Sequence, residues 1–267
     1  MTGNAGFLGR HFTAELHRQG WDVHGCDRRR SELLVLPDDD MRTLLPHTRT
    51  VYDLVVHCAA MSPHREAIDS RPVMHPYNVA LDAAMFEWAI RTGQKRVLYF
   101  SSCAAADGPV DGYAATKLTG EWLAAEARKA GLAVTVVRPY SGYGEDQSED
   151  FPFRAFVERA RRREDPFTIW GDGTQVRDWI HVDDLVRGAL MTARAGVTEP
   201  VSLCTGAGTS MLEVAQMCCA EAGYGPEFEF RLDKPAGVSS RVGDPSMLYE
   251  FYRPTVSLAL GVKRAFA

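Results

Sequence analysis

Tyr113 and Lys117 stand four positions apart in Tyr113-Ala-Ala-Thr-Lys117, a short loop after Ser101-Ser102-Cys103. On an α-helix that spacing puts both side chains on one face, turned toward whatever a preceding strand delivers its serines to. The chemistry open to such a set is proton transfer to and from a hydroxyl. A tyrosine phenol ionises near pH 10, so work near neutrality requires lowering that value by roughly three units, about 4 kcal/mol. Fixed positive charge does this, and the Lys117 ammonium is one such charge. The pair by itself is weak, because a chain with 9 tyrosines meets the spacing by accident often enough. Its meaning depends on the elements that position it.

Lys95-Arg-Val-Leu-Tyr-Phe100 reads as the strand that delivers Ser101 and Ser102. At the start of the chain, Gly3, Gly6 and Gly9 precede a helical pattern carrying Phe12 and Leu16 and ended by Gly20. Such a loop lets backbone approach a pyrophosphate at a helix N-terminus. Trp21–Cys26 reads as a second strand ending in Asp27, where an acid for an adenosine ribose belongs; a turn residue is the plainer alternative. A bound nicotinamide would add a second positive charge beside the phenol. Leu33–Leu36 reads as a third strand, and Asp38-Asp39-Asp40 either flank an adenine or cap the next helix. Asp53–Ala60 is a buried parallel strand ending in small residues, and Pro76-Tyr-Asn78 opens a helix with Val79, Ala83, Phe86 and Ile90 on one side. Ala133–Pro139 is the sixth strand. Strands alternating with helices give an α/β, doubly wound parallel sheet.

Only Met1 and Thr2 precede Gly3, whereas a loop of this type normally leaves the end of a buried first strand. The first strand is therefore expected to be missing or truncated, with a gap in the sheet and an unanchored loop. A GTG valine codon inside that strand, read as an initiating Met, would give this beginning, and an in-frame stop just upstream would refute that. A complete chain of this form puts cofactor affinity in doubt.

The last third reads as a smaller lobe. Phe151–Arg163 is an amphipathic helix, Phe167–Trp170 and Asp178–Val182 are short strands, and Val182–Leu190 runs into a helix with acids at its start. The division expected is 1–145 for a dinucleotide domain and 146–267 for a substrate lobe with segments returning to the main sheet. At 267 residues the chain can bury one large core or a domain plus a lobe. A net charge of −5 gives no electrostatic reason to expect nucleic acid or an anionic membrane; the runs Arg28–Arg30 and Arg159–Arg163 read as solvated faces. The 6 cysteines lack the spacing of a zinc site or a disulfide framework, and Cys218-Cys219 reads as a buried helix pair. No metal is expected. No signal peptide or membrane-spanning run is evident, so the cytoplasm is the expected location.

Taken in order, Thr2-Gly-x-x-Gly-x-x-Gly9, His57-x-Ala-Ala60, Ser101-Ser102, Tyr113-x-x-x-Lys117, Arg138-Pro139 and the run Trp170-Gly-Asp-Gly-Thr-Gln-Val-Arg-Asp-Trp-Ile-His-Val-Asp-Asp184 resemble the extended short-chain dehydrogenase/reductases. More narrowly they resemble the NAD-dependent epimerase/dehydratase group acting on nucleotide sugars, over nearly the whole chain. The resemblance implies a Rossmann-like domain and NAD as cofactor, with NADP the alternative because Arg28 and Arg29 could offset Asp27. It implies that Ser102 and Tyr113 polarise a sugar hydroxyl and that Lys117 holds the nicotinamide ribose, with Ser101 the alternative serine. It places the dinucleotide against Gly3, Asn4, Ala5, Gly6, Phe7, Leu8, Gly9, Asp27, Arg28, Asp39, Ala59, Ala60, Ser101, Tyr113, Lys117 and Pro139. It places the nucleotide-diphosphate sugar against Ser102, Tyr113, Ser141, Arg177 and Arg241, where an arginine fork suits a diphosphate; a structural salt bridge is the alternative for each arginine. It further implies a homodimer through a four-helix bundle, for which Trp88, Leu118, Trp122 and Leu123 offer an apolar face.

The same comparison bears on the reaction. Members that dehydrate the sugar carry an acidic pair just after the catalytic serine or threonine, and here Cys103 and Ala104 stand there, which argues against dehydration and decarboxylation. Epimerisation by transient hydride transfer is the reading adopted. Net reduction or oxidation is the alternative, including an epimerase-reductase using Cys103 as acid/base, a spacing that fits only if Ser101 is the catalytic serine. A non-catalytic nucleotide-binding pseudoenzyme is the alternative from another class, favoured by the missing strand and opposed by the intact Ser102, Tyr113 and Lys117. The loop between serine and tyrosine is short for the family, which implies a more open sugar pocket or an unusual substrate.

Overall fold

A computed structural model describes residues 1–27, 48–61 and 74–267, with the backbone of residues 30–31. The strand read at Leu33–Leu36, the acids Asp38, Asp39 and Asp40, and Arg28 and Arg29 lie outside the described residues. The main sheet runs, in spatial order, Val55–His57, Arg96–Phe100, Ala133–Pro139 and Val201–Leu203, all parallel. Side chains alternate across a strand, so Val97 and Tyr99 face one side and Leu98 and Phe100 the other. On the first side the helices Met74–Arg91 and Gly112–Lys129 pack Leu81, Met85, Phe86, Trp88 and Ala124 against the sheet. On the second, Phe7–Arg18 and Val182–Ala195 pack Phe12, Leu16, Leu185 and Leu190. Apolar helices on both faces of a parallel sheet are the doubly wound arrangement.

The sheet does not part where the first strand was expected to be absent. Met1–Gly3 occupies that place and pairs on both sides: Thr2 N–H donates to Val56 O at 3.0 Å, and Cys58 N–H to Thr2 O at 3.1 Å. Toward the other edge, Cys26 N–H donates to Met1 O and Gly3 N–H to Cys26 O, both at 2.8 Å. The glycine loop is thus anchored by the pairing of Met1–Gly3.

Several expectations are corrected. Of Trp21–Asp27 only Cys26–Asp27 is strand, and of Asp53–Ala60 only Val55–His57, the stretches with ladder partners among the described residues. The helix at Pro76 begins at Met74 and buries Asn78, Leu81, Asp82, Met85, Phe86, Trp88 and Ala89; Ile90 is exposed, and Val79 and Ala83 are half-buried. Trp88 cannot serve a dimer face: it is buried in the core, and its indole N–H donates to Thr48 O at 2.9 Å.

The lobe has its own core. Phe153, Phe156 and Val157 from the helix Pro152–Arg161 meet Phe167, Ile169, Trp179, Val214 and Cys218. Cys218 and Cys219 sit buried and free on Met211–Glu221, as read. The strand Val176–His181 pairs in parallel with Ser141–Tyr143 and Ser240–Arg241 and antiparallel with Gly208–Ser210. This small sheet carries the lobe's arginines toward the end of the main sheet.

Candidate active site

Arg96–Phe100 ends in two buried serines with different surroundings. Ser101 Oγ donates to Glu121 Oε1 at 2.5 Å, and Glu121 also takes a bidentate fork from Arg138 at 2.7 and 2.6 Å. Ser101 thereby ties strand, helix and next strand together. Ser102 instead caps the 3-10 turn Cys103–Asp107, its Oγ accepting from Ala104 N–H at 3.2 Å. Cys103 Sγ, 3.9 Å from Ser102 Oγ, is a weak partner. The turn stops at Gly108, whose φ of 81° suits glycine.

Asp111 starts the Tyr113 helix, accepting from Ala114 N–H at 2.8 Å. Lys117 is buried, its Nζ donating to Phe100 O at 2.9 Å and lying 5.5 Å from the centre of the Tyr99 ring. The ammonium is therefore pinned to the end of the strand that carries Ser102. Half-buried Tyr113 is one turn earlier on the same helix face.

The glycine loop forms a cradle that larger residues would fill. A Cβ on Gly3, at φ +71°, would lie 2.7 Å from Ala59 N, and one on Gly9 would lie 2.0 Å from Gly3 O. Gly6 begins the helix Phe7–Arg18 without a side-chain cap, which leaves its first N–H groups for an anion. Asn4 Oδ1 is buried without a hydrogen-bond partner among the described residues, and Asp27 Oδ2 accepts from Ala5 N–H at 3.1 Å. Asn78 clamps the backbone beyond Ala59 and Ala60, accepting from Met61 N–H at 2.8 Å and donating to Met61 O at 3.0 Å. These features fit a dinucleotide. Of the remaining expected contacts, Pro139 ends its strand and Ser141 opens the next, both half-buried; Arg28 and Asp39 lie outside the described residues.

Arg177 and Arg241 stand directly opposite each other on parallel strands. Like charges so placed repel, so the pair favours an anion between or beside them. Arg241 Nη2 is 3.4 Å from Asp107 Oδ2, and its Nε is buried without a hydrogen-bond partner among the described residues. Cys103 lies next to both: burial pushes its thiol pKa up, and the two guanidiniums oppose that. Glu121, Asp107 and Asp82 were not singled out from the sequence. For Glu121 a signal existed, its position four residues after Lys117. For the other two, strand and helix partners had to be known.

A model of the NAD dependent epimerase/dehydratase family matches residues 1–203. The chain belongs to that family and is an extended short-chain dehydrogenase/reductase with NAD as its cofactor. It is 31% identical to a dTDP-4-dehydro-6-deoxy-D-allose reductase of Streptomyces bikiniensis, over 94% of this chain and 89% of the relative. Among solved structures, UDP-glucose 4-epimerase of Thermotoga maritima with UDP-glucose aligns at TM-score 0.85 and 26% identity, covering 99% of this chain and 96% of the other. MoeE5 in complex with UDP-glucose and NAD aligns at TM-score 0.87 and 29% identity, covering 99% and 95%.

Proposed function

We propose that this enzyme is an NAD-dependent nucleotide-sugar epimerase with Tyr113 as its acid/base. The observation that carries the reading is the buried Lys117 ammonium, held by Phe100 O at the end of the strand that presents Ser102, one turn from Tyr113. Bound NAD supplies a reversible hydride acceptor. Tyr113 takes the proton from a sugar hydroxyl and later returns it, while Ser102 hydrogen-bonds the same oxygen. Lys117 favours the phenolate by its charge and holds the nicotinamide ribose. Arg177 and Arg241 bind the diphosphate with Ser141 nearby, and Asp27 takes the adenosine ribose 2′-hydroxyl and repels a 2′-phosphate. Residues 1–145 serve the dinucleotide and 146–267 mainly the sugar nucleotide. The exposed Trp122 with half-buried Leu118 is the face through which two copies pair.

The 31% identical reductase supports a second reading, net reduction of a keto-sugar nucleotide. The two differ in redox balance. Incubation of UDP- and dTDP-hexoses with substoichiometric NAD, and in parallel of keto-hexose nucleotides with stoichiometric NADH, followed by proton NMR and nicotinamide absorbance, separates them. An epimeric product formed in excess over NAD supports epimerisation. Reduced sugar formed in strict proportion to NADH consumed supports the reductase, and no product in either incubation refutes both.

A further inference from the structure

Behind Lys117 lies a chain of buried polar groups that the proposed chemistry does not use. Thr2 Oγ1 and His57 Nδ1 are 2.7 Å apart, His57 Nε2 and Asp82 Oδ1 3.0 Å, and Tyr99 donates its hydroxyl to Asp82 Oδ2 at 2.6 Å. Ala59 N–H donates to Thr2 Oγ1 at 3.4 Å, so the chain starts at the wall of the dinucleotide cradle. Thr2, His57, Asp82, Tyr99 and Lys117 are each at most 4% exposed. One assignment of protons satisfies them all: Thr2 donates to Nδ1, neutral His57 donates through Nε2, and an ionised Asp82 accepts from His57 and Tyr99. The hydrogen bonds to His57 and Tyr99 and the charge of Lys117 outweigh burial and hold the Asp82 carboxyl below its ordinary range.

A buried ammonium requires a compensating negative charge. The carboxylates of Asp82 and Glu121 both bear on Tyr99, beside the ammonium. Glu121 is already matched by the Arg138 fork. That leaves Asp82, on the neighbouring helix, with Tyr99 between it and the ammonium. The Lys117 helix is shaped to admit the pair: a Cβ on Gly120 would lie 1.8 Å from the Tyr99 hydroxyl oxygen and 2.8 Å from Asp82 Oδ2. The other titratable groups bearing on the network are Cys58 beside Lys117 and Tyr113 beside Tyr99.

We infer that Asp82 is a positioning residue, the buried counter-ion that keeps the Lys117 ammonium charged and seated at Phe100 O, and through it sets the charge presented to Tyr113. The effect on Tyr113 rests on the proposed function; the pairing of Asp82 with Lys117 does not.

The pairing is tested by thermal unfolding of Asp82→Asn, Lys117→Met and the double variant, without ligand, at pH 8 where imidazole is ordinarily neutral. Asp82→Asn is expected to lower the melting temperature of the wild type and to raise that of Lys117→Met, where the carboxylate is left uncompensated. The same sign in both backgrounds overturns the inference. If Asp82→Asn alone does not fold, recovery of folded protein in the double variant supports the pairing, and failure of both overturns it. The consequence for the site is read from the pH profile of kcat. Loss of the buried negative charge favours phenolate over phenol and ammonia over ammonium, so both limbs move to lower pH, by about one unit. An unmoved profile with a lowered melting temperature marks a merely structural residue. A sign reversal in stability without sugar-nucleotide turnover in the wild type leaves the counter-ion standing and sinks the proposed activity instead.

Discussion

Gly3→Ala tests the cradle, because the structure separates two costs. The first is conformational: at φ +71° an L side chain is strained by about 1–2 kcal/mol. The second is contact: the new Cβ would lie 2.7 Å from Ala59 N and 2.8 Å from Ala59 Cα and Cys58 C. These are backbone atoms held by Thr2, so they yield only by opening the short pairing of Met1–Gly3; overpacking of this kind costs about 1–3 kcal/mol. The sum, about 2–5 kcal/mol, is read by urea unfolding. Gly20→Ala is the control, since Gly20 has φ +80° but no neighbour within 4 Å of its Cβ position and so carries the first cost alone. Calorimetric titration with NAD should show at least tenfold weaker binding for Gly3→Ala and no change for Gly20→Ala. Equal destabilisation of the two variants with wild-type NAD affinity in both would refute the close approach of Gly3 to Ala59.

Other outcomes follow from the same geometry. Arg177→Met and Arg241→Met should each raise KM for the sugar nucleotide roughly 10- to 100-fold, the worth of a charge-assisted hydrogen bond, with NAD affinity unchanged in titration. The Arg18 fork holds the Glu15 carboxyl at about 2, below its ordinary 4.5 and against the cost of burial. A depressed carboxylate stabilises the fold above its unfolded value, so this contribution is full above pH 4.5 and is lost as pH falls toward 2; Glu15→Gln should flatten the acid limb of a stability-against-pH curve. Burial pushes the Cys103 thiol up and keeps it protonated at neutral pH. Cys103→Ser should therefore keep turnover within about threefold, whereas a fall of about 10² or more would make the cysteine an acid/base.

The main sheet and its helices were legible because β-branched runs such as Val134–Val137 and the helix Phe7–Arg18 obey simple periodicities. The face of Met74–Arg91 was misread for a physical reason. Its buried side includes Asn78 and Asp82, so an apolar count selects Val79, Ala83 and Ile90 instead. The sequence favoured Ser102 and kept Ser101 as the alternative; only the position of Glu121, which accepts from Ser101, and the Ala104 N–H that donates to Ser102 distinguish a structural hydroxyl from a capping one. The pairing of Arg177 with Arg241 could be reached by resemblance alone, since Ser240–Arg241 is too short a strand to leave a pattern. The anchoring of the glycine loop was not readable, because the sequence carries no sign that Met1–Gly3 pairs on both sides.

The central claim is that Tyr113 carries the proton. Tyr113→Phe keeps the ring and its packing and removes the carrier, and general acid–base groups contribute about 10² to 10⁴ in rate. The decisive measurement is kcat of Tyr113→Phe on a sugar nucleotide that the wild type converts, beside NAD affinity of the same preparation. The expected result is a loss of about 10² to 10⁴ in kcat with NAD affinity nearly unchanged. Near-wild-type turnover would contradict the assignment and place the chemistry elsewhere.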